Sequence, residues 1–190
     1  MLDHAIALAV SCHAGQYRKH AIGGQRLPYI AHPIEVMRTV WAWGITDPII
    51  MTAAVLHDIL EDSDVTSRQL AKEFGEDVAQ SVVELTHDPQ DGNKSEYLKR
   101  FSTASVPALV IKLADRYCNV KHRLAANPSG VETYFEKSAV LLEIMRTRRA
   151  EIAGRFGEKA AKAVASAYQS LEIAIGQIAG DVQPDQRNNG

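Results

Sequence analysis

Apolar residues return every third or fourth position along most of this chain, whereas runs of strict two-residue alternation bounded by turn residues are hard to find. That spacing gathers apolar side chains on one face of successive helices and predicts an all-α chain. At 190 residues the chain is long enough for one domain with a substantial core and no covalent staples. The expected organisation is a single helical bundle over residues 1–180. A polar tail at 181–190, "DVQPDQRNNG", is expected to be disordered.

Caps and breakers divide the pattern. A first helix is predicted from Leu2 to about Tyr17, followed by a basic, Gly- and Pro-punctuated loop, "RKHAIGGQRLPYIAH". Pro33 then opens the next helix at its first position and Gly44 closes it. In "TDPIIMTAAVLHDILED", Asp47 is the cap, Pro48 the first helical residue, and one helix is predicted to run to Asp62. Thr66 with Gln69 predicts a capping box for a helix through Phe74, and another helix runs from Glu76 to about Thr86. A polar linker, "HDPQDGNKS", follows. "VPALVIKLADRYCNVKHRL" begins so apolar that periodicity allows a buried strand or a buried helix, and its length favours helix. Two longer helices, about Val131 to Ala153 and Glu158 to Ile178, complete the pattern. Their apolar faces serve core packing or would permit a homodimer.

Charge and cysteine usage exclude several classes. The formal charge of −2 and a pI of about 6.4 provide no basic field for a nucleic acid polymer or an anionic membrane. The start, "MLDHAIALAV", has no basic region before its apolar residues, so neither a signal peptide nor a membrane span is expected. Cys12 and Cys118 lack CxxC or CxxH spacing. This fits a reducing, cytoplasmic compartment better than a disulfide framework or a zinc ribbon.

One segment is chemically out of place. "AAVLHDILEDSDVT" sets His57, Asp58, Glu61 and Asp62 within about 140° of one helix face, at about 100° per residue. Their neighbours, Ala53 to Leu56 and Ile59-Leu60, imply a helix packed in the core, where a carboxylate must find a cation or a donor. Ionised carboxylates only accept hydrogen bonds, so three of them and one imidazole cannot satisfy one another. A divalent ion resolves the conflict, and imidazole nitrogen with carboxylate oxygen suits Mn²⁺, Fe²⁺ or Zn²⁺. Two further ligand candidates are His32 in "PYIAHP" and Asp115 in "VIKLADRYCN". Taken singly, His32 reads as a core or capping histidine and Asp115 as the partner of Arg116 or Lys112. The ordered set of His, His-Asp and Asp favours the metal.

The order H…HD…D, extended by "HDILED", resembles the HD-domain metal-dependent phosphohydrolases. The words "YRKH", "LPYIAHPIEVMRTV", "AAVLHDILEDSDVT", "FGEDVAQSVVELT" and "IKLADRYCNV" are similar, in order and over about residues 1–155, to the stand-alone alarmone hydrolases of the RelA/SpoT family. The resemblance implies one Mn²⁺ held by His32, His57, Asp58 and Asp115, with Glu61 and Asp62 serving the attacking water as the catalytic pair. It implies substrate contacts at Arg18 and Lys19 in the first loop, at Tyr29 in the pocket wall, at Lys94 and Tyr134 for phosphate, and at Asn119 for ribose. A solvated loop lysine is the plainer reading of Lys94.

The implied partner is a small nucleotide, and the implied reaction removes the 3′-pyrophosphate of ppGpp or pppGpp, leaving GDP or GTP. The chain departs from the family in a slightly longer loop between Lys19 and Pro28 and in Tyr117 and Cys118, which the resemblance places on the base side. The alternatives are therefore the same chemistry on ppApp or pppApp, or removal of the 2′-phosphate of NADPH. A non-catalytic nucleotide-binding module is the third reading. No P-loop or Rossmann glycine fingerprint is present.

Overall fold

The most apolar helix sits in the middle of the bundle, with every residue from Ile50 to Leu56 buried. The computed structural model describes residues 1–88, 90 and 92–181, and the side chains of Lys94, Ser129 and residues 178–181 lie outside that description. In chain order the helices are α1 (Leu2–Cys12), α2 (Ala31–Ala42), α3 (Pro48–Leu56), α4 (Ile59–Asp62), α5 (Ser67–Phe74) and α6 (Glu76–Leu85). They continue as α7 (Lys94–Lys99), α8 (Val106–Ala126), α9 (Val131–Glu136), α10 (Ala139–Thr147), α11 (Arg149–Phe156) and α12 (Glu158–Asp181). Among the described residues the architecture is all-α, as expected, with isolated bridges between Tyr17 and Pro28 and between Ile22 and Gln25. Of the tail expected over 181–190, Asp181 instead ends α12, and residues 182–190 lie outside the described residues.

Those bridges explain the first correction. α1 stops at Cys12, short of the expected Tyr17, because the chain turns at Gly15 (φ +78°) and Tyr17 joins a hairpin-like arm instead. Arg18 N–H donates to the Leu27 carbonyl at 2.8 Å, and Tyr29 N–H donates to the Gln16 carbonyl at 2.9 Å. α2 begins at Ala31, so Pro33 lies inside the first turn rather than at its first position. Its missing N–H costs little there, since first-turn donors have no intrahelical acceptor. His32 is thereby fixed in a helical first turn.

Several caps match the sequence expectation. Asp47 accepts from Ile49 N–H at 2.8 Å, and the Thr66–Gln69 capping box is complete. The helix carrying His57 does not continue unbroken to Asp62: α3 ends at Leu56 and α4 begins at Ile59, with His57 and Asp58 at the junction. Both side chains are held at this junction, one by a near neighbour in the chain and one from the segment before α2. His57 Nδ1 lies 2.8 Å from the Ala54 carbonyl, and the Tyr29 hydroxyl donates to Asp58.

α8 settles the strand-or-helix ambiguity in favour of helix. Ser105 caps it, and Leu109 to Asp115 are all buried. The expected helix from Val131 to Ala153 is instead α9, α10 and α11. It breaks at buried Ser138, whose Oγ accepts from Arg116 Nε at 2.5 Å, and at Arg148, which donates to the carbonyls of Phe101 (2.8 Å) and Ala104 (2.7 Å). The apolar stripes of α10 to α12, including Leu141, Met145, Ile152 and Tyr168, pack into the chain's own core. Fully buried residues such as Leu56, Ile59 and Leu113 each contribute about 1.5–3 kcal/mol of transfer free energy. No helix among the described residues is long and apolar enough to cross a membrane.

Candidate active site

Three separate elements bring the four proposed metal ligands together. His32 comes from the first turn of α2, His57 and Asp58 from the α3–α4 junction, and Asp115 from the middle of α8. The ligand atoms of His32, His57 and Asp58 lie within 4.8 Å of one another. Asp115 Oδ1 stands 3.1 Å from His32 Nε2 and 3.9 Å from His57 Nε2.

The histidines have the chemistry of ligands. Donation from His57 Nδ1 to the Ala54 carbonyl leaves Nε2 as the ring atom that would coordinate an ion, and it is buried without a hydrogen-bond partner although Asp58 Oδ2 lies 3.0 Å away. A ring nitrogen held in this way by a backbone carbonyl is oriented to coordinate. Burial pulls the His57 imidazole down, but the Asp58 and Asp115 carboxylates overrule it and push it up to about 9, so in the metal-free chain a proton on Nε2 meets the demand for positive charge that a divalent ion would meet at the same atom. Burial lowers His32, against the pull of Asp115. For Asp58, burial works upward but His57 prevails and holds the carboxyl below the usual carboxylate range. The cluster is therefore a buried, ionised, mixed nitrogen and oxygen set, and its residues fit a divalent ion.

A surrounding layer fixes the carboxylates. The Tyr29 hydroxyl donates to Asp58 Oδ2 at 2.6 Å, so this proposed substrate contact reaches a proposed metal ligand directly. Burial, and then the Asp58 charge, raise the Tyr29 phenol. Asp115 Oδ2 meets Lys112 Nζ at 2.8 Å, which makes Lys112 rather than Arg116 its cation. Asp115 Oδ1 also accepts from Asn119 Nδ2, and Asn119 Oδ1 accepts from Arg18 at 2.9 Å. Arg18 and Asn119, proposed as substrate contacts from distant parts of the sequence, are thus adjacent and tied to the cluster.

Glu61 and Asp62 follow Asp58 by one turn. Glu61 Oε1 accepts from the His87 backbone N–H at 2.7 Å, which anchors that oxygen and turns the group away from free rotation. Burial raises the carboxyls of Glu61 and Asp62 above their ordinary values, with the His87 N–H opposing the shift at Glu61 and the Asp58 charge reinforcing it at Asp62. His13 and Gln16, which the sequence did not mark, complete this wall. His13 is buried against the Tyr29 ring (4.9 Å between centroids) and bonds Gln16, whose amide donates to the Asp62 carbonyl at 3.2 Å.

Tyr134 opens onto a cavity of about 640 Å³ shared with Arg116, Lys137, Asn93 and Ser95. The Lys94 side chain lies outside the described residues, while its backbone begins α7 between two residues of this lining. Lys19 is exposed in the first loop and is not drawn into the cluster. Tyr117 and Cys118 face the packing instead. The Tyr117 ring lies against Trp43 and Tyr168, and the Cys118 thiol is buried 3.2 Å from Thr39 Oγ1.

A helical bundle that gathers two histidines and two aspartates from separate helices at one buried point has the architecture of an HD domain, and the HD-domain family model matches residues 5–140. Guanosine-3′,5′-bis(diphosphate) 3′-pyrophosphohydrolase MESH1 of Xenopus tropicalis is 31% identical over 164 residues, covering 82% of this chain and 90% of that protein. The MESH1 protein of Mus musculus is 34% identical over 151 residues, covering 75% of this chain and 83% of its own. A solved structure of a metazoan orthologue of SpoT that hydrolyses ppGpp superposes with a TM-score of 0.71 at 26% identity, over 89% of this chain and 94% of that one. The chain belongs to the HD-domain family and, within it, to the MESH1/SpoT-like group.

Proposed function

We propose that the protein is a metal-dependent hydrolase that removes the 3′-pyrophosphate of ppGpp and pppGpp. The observation that carries the reading is His57 Nε2, buried without a hydrogen-bond partner and facing two carboxylates and a second imidazole, in a chain that matches MESH1 proteins over most of their length. His32, His57, Asp58 and Asp115 would hold one ion, which we assign as Mn²⁺ from the family resemblance. When bound, such an ion supplies Lewis acidity toward water and phosphoryl oxygens at neutral pH.

The chain's own groups do the rest. Glu61 Oε1 is held by the His87 amide, so Oε2 is the oxygen available to orient water and accept its proton. The raised carboxyl makes Glu61 a better base than an ordinary surface glutamate. Asp62 stands beside it as the second member of the pair. Water adds to the phosphorus attached to the ribose O3′, the P–O3′ bond breaks, and O3′ leaves with a proton as the 3′-hydroxyl. The products are GDP or GTP and pyrophosphate. Arg18, Lys19, Tyr29, Lys94, Asn119 and Tyr134 are proposed to hold the nucleotide, with Tyr29 also fixing Asp58. A cytoplasmic location accords with both cysteines being free thiols, and sedimentation of the purified chain decides between a monomer and a homodimer.

The test is a product assay with Mn²⁺ and with chelator, offering ppGpp, pppGpp, pppApp and NADPH side by side. Metal-dependent pyrophosphate release from the guanosine substrates is the expected result. Release from pppApp alone, or phosphate from NADPH alone, would replace the substrate and keep the chemistry. Binding without turnover of any of them would leave a nucleotide-binding module.

A further inference from the structure

Arg123 is seated in α8 with its guanidinium on neutral groups. Nε donates to the Gly130 carbonyl at 3.2 Å, Nη1 meets His20 Nε2 at 3.1 Å, and the guanidinium carbon lies 5.0 Å from the centre of the Tyr134 ring. Among the described residues no carboxylate lies within ion-pair distance of Arg123, nor of Arg18 or Arg116. Arginines gathered without carboxylates in a chain with more acidic than basic residues mark a place prepared for an anion from outside.

The backbone is shaped for this seat. A Cβ at position 130 would stand 3.0 Å from Arg123 Nη2 and 3.6 Å from Nε, so the missing side chain of Gly130 is what lets the fork lie against the chain. With Nε and Nη1 engaged, Nη2 has no hydrogen-bond partner among the described residues, and its donors are left for a ligand, already oriented by the ring beneath them.

Position supplies the identity of the anion. Asp115, Asn119 and Arg123 succeed one another four residues apart on α8, so one side of this helix carries a metal ligand, then the Arg18–Asn119 pair, then Arg123. Eight residues of helix span about 12 Å, the scale of a nucleoside with a phosphate chain at each end. We propose that Arg123, seated on Gly130 and Tyr134, anchors the 5′-phosphates of the nucleotide whose 3′-diphosphate lies at the His32, His57, Asp58 and Asp115 cluster. The inference rests on the hydrolase reading above and adds the residue that makes the enzyme selective for nucleotides phosphorylated at both ends. A guanidinium held by Nε and Nη1 presents its remaining donors in a fixed direction, which suits this role better than a flexible lysine.

The experiment compares steady-state kinetics on pppGpp, ppGpp and guanosine 3′-diphosphate, which lacks 5′-phosphates, for the wild type, Arg123→Ala, Arg123→Lys and Gly130→Ala. The wild type should prefer the substrates with 5′-phosphates. In Arg123→Ala, KM for ppGpp and pppGpp should rise roughly 10- to 100-fold, the loss of a charged hydrogen-bonding group, and the preference over guanosine 3′-diphosphate should collapse. Arg123→Lys should recover part of the preference. Gly130→Ala, which keeps the charge but presses on the fork, should erode it less than Arg123→Ala. An equal loss on all three substrates, or an undiminished preference in Arg123→Ala, would overturn the proposal while leaving the hydrolase reading intact. A wild type silent on all three would defeat the hydrolase reading and this inference together.

Discussion

In the C-terminal helices, Arg146 meets Glu143 and Glu172, Arg148 meets Glu151, and Arg149 meets Glu158. Around α8, Arg18 rests on the Asn119 amide oxygen, Arg116 on Ser138 Oγ and the Tyr134 carbonyl, and Arg123 on Gly130 and His20. The same residue type is neutralised internally in one region and left cationic in the other. A helix bundle has carboxylates available for either arrangement, so the difference marks where charge serves packing and where it waits for a ligand. The carboxylates show the complementary pattern: among the described pairs Glu61 and Asp62, beside the proposed metal ligands, meet no arginine and are raised by burial, whereas Glu151 is lowered by its hydrogen bond to Arg148.

The contrast predicts that substitutions in the two regions separate activity from stability. Glu61→Gln should cut turnover by about 10²- to 10⁴-fold while keeping metal binding, because it removes the proposed base and none of the ligands. It should also raise the melting temperature of the metal-free protein at neutral pH. Burial raises the Glu61 carboxyl in the folded chain, so the folded form favours the proton, and that preference stabilises it in acid and is lost as pH rises through the raised value. The stabilisation by Gln should therefore appear at neutral pH and vanish in acid, which calorimetry at both pH values would show. A fall in melting temperature at neutral pH would break the comparison.

Lys112→Met comes next in size. It removes the cation from Asp115 Oδ2, and Mn²⁺ affinity should fall about 10- to 100-fold by titration, the usual effect of losing the group that orients a ligand. Arg148→Met is the smallest for catalysis and the sharpest for contrast. Its guanidinium ties the carbonyls of Phe101 and Ala104 to Glu151, so denaturant unfolding should show a loss of about 1.5–3 kcal/mol. Specific activity of the folded fraction should match the wild type, since this residue touches nothing near the cluster.

Much of the fold is legible where a local rule decides it. Asp47 before Pro48, the Thr66–Gln69 box and the left-handed Gly44 each need only their immediate neighbours, and all three stand where the pattern put them. Breaks that depend on distant partners are invisible to periodicity. Ser138 ends a helix because Arg116 reaches it from α8, and Arg148 because the Phe101 and Ala104 carbonyls lie across from it. The junction at His57 and Asp58 is hidden for the same reason, since the apolar spacing runs straight through it.

The site shows the same division. The convergence of His32, His57, Asp58 and Asp115 was readable from the order of residue types and the resemblance they carry. Lys112 was one of two cations open to Asp115, and helix geometry favours it, because residues three apart share a face and adjacent ones do not. The His87 amide that holds Glu61 had no signal at all, because a backbone donor has no side-chain signature. The seat of Arg123 depends on the absence of a side chain at Gly130, which only the three-dimensional contact reveals.

The most direct test of the account is a calorimetric titration of Mn²⁺ into chelator-treated wild-type protein and into Asp58→Ala, with ppGpp turnover followed on the same samples. One ion per chain in the wild type, with pyrophosphate release returning in step with occupancy and neither seen in Asp58→Ala, is the predicted result. Full ppGpp turnover by protein that binds no divalent ion would contradict it.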